Sequence, residues 1–305
     1  MPSLVGSEMC IRDSIATADN NRLYIRSPTT LDTRRIISLP SDRNGRYHSI
    51  RWSTHSRYSG SAKCILVSDD DTARVWDLED LKWTATVRNG SGGMGKIVHA
   101  EFGRNEDEIL LFSEFGAKVT VWSVSTGRSV EIRDPKFSTK GHAYRPSTGL
   151  FALLSKPAAQ DIVTLHAPNT YFVLKTITLP STDAQGLKWS PDGRWLVVWD
   201  TPSMGAKLFV YSADGHLYRT YAGELNDLVE GLGIKNVEWS PRGDFLAVCG
   251  YNERVTLLST RTVCFQAPAQ FQWDVSNIVC SSLQQSFLII RRSYNSKEET
   301  CGKSK

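Results

Sequence analysis

The 305 residues are 40% hydrophobic and 22% charged, a balance that allows one large globular core or two domains without disulfides to hold them. The formal net charge of +4 is dispersed, with Arg34–Arg35 and Arg291–Arg292 the adjacent basic pairs that stand out, which argues against a nucleic-acid-binding stripe. No apolar run reaches the ~20 residues of a membrane-spanning helix, and the six cysteines form neither a C-x-x-C pair nor a Cys/His group with zinc-ligand spacing.

Residues 1–14 are expected to be a non-native leader. The stretch has neither the basic region nor the ~7–15-residue apolar core of a secretory signal. The eleven residues "LVGSEMCIRDS" (Leu4–Ser14) instead resemble the translation of the sequencing adapter left by transposase-based library preparation. Fold reasoning therefore starts at residue 15.

From there two elements recur. An aromatic strand running into a turn appears as "IRWSTHS", "AEFGRNE", "AYRPSTG", "LKWSPDG" and "VEWSPRG". Its aromatic positions, Trp52, Phe102, Tyr144, Trp189 and Trp239, lie 50, 42, 45 and 50 residues apart. An alternating strand ending in a small polar residue appears as "RLYIRS", "ARVWDL", "VTVWSV", "IVTLHA", "LFVYSA" and "VTLLST". A period near 45 with these signatures predicts an all-β, WD40-type β-propeller of about six recognisable four-stranded blades in an incomplete ring.

The unit "GLKWSPDGRWLVVWD" shows the logic. Leu187–Trp189 is a short inner strand, and Pro191 and Gly193 supply the backbone angles of the turn after it. Arg194–Trp199 is largely apolar, as a strand covered on both faces should be. "KLFVYS", a turn at Ala213–Gly215 and the more polar "HLYRTY" complete the blade, which must stack on neighbours to bury its faces.

Other chemical signals are weak. In "GSGGMGKI" (Gly90–Ile97), Gly90, Gly95 and Lys96 have phosphate-loop spacing, but Ile97 stands where Ser or Thr must hold Mg²⁺, and a strand pattern follows. The loop is expected to join two blades. "SDDDT" reads as a solvated hairpin, because a calcium cage needs six or more oxygens in a defined loop. No nucleophile or acid–base constellation emerges, so the chain is expected to be no enzyme and to need no cofactor or metal.

"ARVWDL" after "SDDDT", and "KWSPDGRWL", resemble WD repeats, with Trp52, Trp76, Asp77, Trp122, Trp189 and Trp239 at the structural positions. The Gly-His dipeptide that normally precedes each repeat is missing, so the repeats are divergent. The series from "RLYIRS" through "LKWSPDGRWLVVWDT" and "LFVYSADGHLYRTY" to "GLGIKNVEWSPRGDFLAVCGYNERVTLL" resembles the WD-repeat protein eight family of centrosomes and fungal spindle pole bodies, in its fungal form. The resemblance implies a non-enzymatic scaffold of the cytoplasmic cytoskeleton. Its implied partners are a coiled-coil spindle-pole anchoring protein and a minus-end-directed kinesin, with which it would anchor microtubule minus ends. A propeller adaptor in translation initiation or RNA processing is the alternative.

The resemblance also implies a chain truncated at both ends. Residues 15–262 are expected to form the blades, the first lacking its opening strands. Residues 263–305 are expected to be an atypical tail, from intron read-through or from part of a later repeat. Partner contacts are expected on the rim shared by the loops between blades and the hairpins within them. The candidates are "DTPSMGA" (200–206) and "AGELNDLVEGLGIK" (222–235), with Asp200, Leu225, Leu228, Val229, Leu232 and Lys235 as the residues.

Overall fold

A computed structural model describes residues 14–260 of the protein, apart from 20–21, 40–46, 54–62, 70, 79, 81–82, 89–95, 137–138, 182, 223–232 and 252–254. The described residues form antiparallel strands in six sheets, each a meander in chain order, with two short 3₁₀ turns and no α-helix. Sheet one holds β1 (Ile15–Ala18), β2 (Arg22–Arg26) and β3 (Thr33–Ser38). Sheet two holds β4 (Tyr47–Trp52), β5 (Lys63–Ser68), β6 (Thr72–Asp77) and β7 (Thr84–Arg88), and sheet three β8 (Ile97–Phe102), β9 (Glu108–Ser113), β10 (Lys118–Ser123) and β11 (Ser129–Arg133). Sheet four holds β12 (His142–Tyr144), β13 (Phe151–Ser155), β14 (Ile162–His166) and β15 (Val173–Thr178). Sheet five holds β16 (Ala184–Trp189), β17 (Trp195–Asp200), β18 (Lys207–Ser212) and β19 (Leu217–Ala222), and sheet six β20 (Ile234–Trp239), β21 (Phe245–Gly250) and β22 (Val255–Ser259).

Four of the six sheets are four-stranded, and the first and sixth have three strands among the described residues. Residues 1–13 and 261–305, with nearly all of the expected leader and all of the expected tail, lie outside the description.

The core is divided between the sheets. Successive side chains of a strand point to opposite faces, and here both faces are covered. In β17, Leu196 and Val198 pack with Ala152, Leu165 and Ile177 of sheet four. Val197 and Trp199 of the same strand pack with Ile234, Val237 and Leu246 of sheet six. β9 does likewise, sending Ile109 and Leu111 toward sheet two and Leu110 and Phe112 toward sheet four. Five such clusters join the six sheets in chain order. This is why second strands read as unbroken apolar runs, whereas the outer strands β3, β15 and β19 are almost wholly exposed.

The turns follow their residues. Gly193 donates to the Ser190 carbonyl at 2.8 Å with φ +70°, and the Ser190 hydroxyl accepts the Trp195 N–H at 2.9 Å. Sheet six repeats the device: Gly243 donates to the Ser240 carbonyl with φ +72°, and Phe245 donates to the Ser240 hydroxyl. The aromatic residues before these turns, Trp189 and Trp239, are buried in the seams on either side of sheet five. Trp52, Trp76 and Asp77 are buried as well, and Trp122 is half-buried against the cluster between sheets two and three.

Candidate functional site

The hairpin from β17 to β18 and the connection from β19 to β20 leave sheet five at the same end. Their described parts touch: Gly233, with φ +71°, lies so close to Pro202 that a Cβ there would overlap its backbone. The Gly233 carbonyl also accepts the Tyr251 N–H at 3.2 Å. The described ends of the two candidate loops thus meet at Pro202 and Gly233. Leu225, Leu228, Val229 and Leu232 lie outside the described residues.

Beneath this contact runs an ionic network that spans three sheets. Lys136, after β11, donates to Asp161 at 2.8 Å and to Asp183 at 2.6 Å. Asp161, fully buried at the start of β14, also pairs with Lys156 at 3.2 Å and accepts the Ala184 N–H at 2.6 Å. Thr201 then ties sheet five in, its hydroxyl and its N–H both bonding to Asp183 at 2.9 Å. The Lys136 hydrogen bond holds the Asp183 carboxyl below its ordinary range. Buried charges persist when paired; here Asp161 Oδ2 is hydrogen-bonded to Lys136 and Ala184, and its Oδ1 has Lys156 as its charge partner.

Asp200 sits inside this rim. Its side chain is 1% exposed, among Ser181, Lys207, Asp161 and Lys136, and burial raises its pKa. Placed this way, the carboxylate faces the protein interior. Trp199 beside it packs into the seam with sheet six. Lys235 is exposed on β20, and its carbonyl accepts the Lys140 ammonium at 2.9 Å. On the same inner strands Lys188 pairs with Glu238 at 2.5 Å.

Two further polar clusters cross the seam between sheets three and four. Glu101 of β8 receives His99 from its own strand at 3.1 Å and His142 from β12. The imidazoles hold its pKa down against the opposing effect of burial, and Phe112 stacks near both rings. Nearby, the Tyr171 hydroxyl bonds to Glu108 and to the Tyr144 hydroxyl, each at 2.8 Å. Sequence reading brought none of the long-range partners together: Lys136–Asp161, Tyr144–Tyr171, Glu101–His142, Lys136–Asp183 and Glu108–Tyr171 are 25 to 63 residues apart, and no local motif links them. Among the described residues, no group of three or more His, Cys, Asp or Glu could hold a metal ion. Of the glycine-rich segment only Lys96 and Ile97 are described, and Ile97 opens a strand where a phosphate loop would need a helix.

Asp71 closes the acidic hairpin of sheet two at φ 60°, and its carboxylate accepts the Ile97 N–H at 3.3 Å. The hairpin that read as solvated is thus stitched to the next sheet.

No family model matches the chain. It is similar to the WD repeat-containing protein WRAP73 of Mus musculus, with 31% identity over 245 residues, 80% of this chain and 50% of that protein. An uncharacterized WD repeat-containing protein of Schizosaccharomyces pombe is 27% identical over 86% of this chain and 53% of its own length. The chain spans about half the length of these curated relatives. Among solved structures, the Dos1 propeller superposes with a TM-score of 0.59 at 13% identity, covering 85% of this chain and 68% of that one. Kluyveromyces lactis Hsv2 does so with 0.55 at 14% identity, covering 85% and 75%. The protein is a β-propeller built from divergent repeats of the WD type.

Proposed function

We propose that the chain is a non-enzymatic scaffold of the centrosome or spindle pole body, whose loop rim gathers protein partners to anchor microtubule minus ends. The observation that carries the scaffold reading is the rim itself. Loops of sheet five are interlocked at Pro202 and Gly233 and fastened to sheets three and four through Lys136, Asp161, Asp183 and Thr201. Loops held on a rigid frame are where binding residues concentrate. The perturbed acids of the rim are engaged in ion pairs and hydrogen bonds between sheets. The polar location draws its support from the ordered motif series and its resemblance to the WD-repeat protein eight family, while the similarity to WRAP73 supports a WD-repeat protein.

The partners we propose are a coiled-coil spindle-pole anchoring protein and a minus-end-directed kinesin. The test is tagged full-length protein purified from dividing cells and imaged in them. A focus at each spindle pole and co-purification of a coiled-coil pole protein are expected. Diffuse signal in mitosis, or RNA crosslinking that falls steeply with salt, would remove this reading in favour of an RNA-processing adaptor.

A further inference from the structure

Three imidazoles lie in the seam between sheets three and four, in a row with two phenyl rings. Between centroids, His99 is 5.6 Å from Phe112, Phe112 4.9 Å from His142, His142 6.0 Å from Phe151 and Phe151 5.9 Å from His166. β8 and β9 supply His99 and Phe112, and β12, β13 and β14 supply the other three.

The two ends of the row differ in what their rings face. His166 is satisfied as a neutral ring. Its Nδ1 meets the Tyr171 carbonyl at 2.8 Å and must donate to it, while its Nε2, 2.9 Å from the Thr164 hydroxyl, can accept. Burial lowers the His166 pKa, so this ring stays uncharged. His99 and His142 face a carboxylate instead. Glu101 Oε2 meets His99 Nε2 at 3.1 Å, and Oε1 meets His142 Nε2. An ionised carboxylate only accepts, so the facing nitrogen of each ring carries a proton, and either ring can take up a second one without breaking that bond. The Nδ1 of His142 has no hydrogen-bond partner among the described residues, so the hydrogen bond of this imidazole is the one to Glu101. Both imidazole side chains are 6% exposed, whereas that of Glu101 is 24% exposed and keeps the cluster in contact with solvent.

Among the described residues, the other titratable and charged groups come from each element packed around this cluster. Tyr144 of β12 lies within electrostatic reach of Glu101 and Glu108. Tyr171, before β15, ties Tyr144 to Glu108 of β9, and Arg104, after β8, gives its N–H to Glu108. Arg51 of β4 and Lys188 of β16 belong to the inner strands on either side, and Lys188 is paired with Glu238. One carboxylate thus serves two imidazoles. A first added proton completes an ion pair and leaves the cluster neutral, whereas a second would leave a buried positive charge. The two rings therefore share the uptake of one proton.

We propose that His99, Glu101 and His142 form a proton-operated clasp between sheets three and four, tightening when it takes up one proton in mildly acidic medium and slackening when it releases it in mildly alkaline medium. Hydrogen bonds between ionised partners are roughly twice as strong as neutral ones. A proton held more tightly by the folded chain adds stability that is present below the unfolded imidazole value of about 6.5 and is lost as pH rises above it through the folded value. The inference is independent of which partners the rim binds.

The test is thermal unfolding of the wild-type chain and Glu101→Gln at pH 6 and pH 8. Gln offers one neutral imidazole an acceptor and the other an N–H, so E101Q removes the charge and keeps both hydrogen bonds. The gap in melting temperature between the two chains is expected to be wider at pH 6 by about 3–5 °C, the effect of a tenfold change in proton affinity on a chain of this size. An equal gap at both pH values, or a wider one at pH 8, overturns the clasp. Hydrogen exchange of the wild-type chain, corrected for intrinsic rates, gives a readout that needs no variant. Protection of residues 97–102 and 142–144, relative to residues 234–239, is expected to be about threefold or more higher at pH 6 than at pH 8. A ratio that does not change with pH overturns the proposal.

Discussion

The Tyr171 hydroxyl donates to the Glu108 carboxylate at 2.8 Å, from the outer hairpin of sheet four to the first residue of β9 in sheet three. Both residues are buried, and the ring of Tyr171 meets Phe151 edge-on at 5.7 Å. Hydrogen bonds to ionised groups contribute ~1.5–3 kcal/mol. Tyr171→Phe keeps the ring and removes the bond. A loss of about that size is expected in urea denaturation, with m unchanged because the surface exposed on unfolding is the same.

Lys136→Met should be more damaging. It leaves Asp161 buried with Lys156 as its remaining cation, and uncompensated buried charge costs ~3–5 kcal/mol. Because Lys156 remains, the lower end is expected. Adding Asp161→Asn should recover part of the loss. Chemical denaturation of the two single variants and the double variant measures the coupling.

Asp183 and Asp200 respond to pH with opposite signs. The folded-state pKa of Asp183 is lowered, so its contribution is present above the unfolded value near 4 and fades as pH falls through the folded one. The pKa of Asp200 is raised by burial, so its ionisation opposes folding, and stability is lost as pH rises through the folded value. Asp200→Asn is therefore expected to be more stable than wild type at pH 7. The advantage should vanish below about pH 4, where both chains are neutral at this site. Denaturation midpoints at pH 7 and pH 3.5 check the sign.

Cys64 lies fully buried between sheets one and two, and burial pushes its thiol up to about 12. The thiolate is the reactive form. Iodoacetamide at pH 8 should leave Cys64 unmodified in the folded chain and alkylate it in urea, as peptide mass spectrometry would report.

Gly186→Ala tests packing alone. Gly186 sits at an irregularity in the pairing of β16 with β17, and a Cβ there would overlap the indole of Trp199. Displacing that ring disturbs the seam with sheet six. Overpacking of this kind costs ~1–3 kcal/mol, readable as a lowered melting temperature.

The turn after Trp189 was legible because Ser190, Pro191, Asp192 and Gly193 specify it among themselves. The unbroken apolar run of β17 announced a strand covered on both faces. The rim was not legible. Asp161 and Lys136 are 25 residues apart, and Lys136 and Asp183 47, so neither pair leaves a local pattern. Asp200 was named for partner contact as the first residue of the 200–206 rim loop, and its carboxylate lies buried among the charges beneath the loops.

The division of β9 and β17 between two seams limits how such a chain can change over evolutionary time. Removing one residue from β17 would exchange the faces of every side chain beyond the deletion. Trp199 would then be driven toward sheet four and Val198 toward sheet six. Insertions and deletions should therefore accumulate in the connections between sheets, while second strands keep their length even where every residue in them is replaced. Relatives aligned by strand length should keep register where alignment by residue identity loses it.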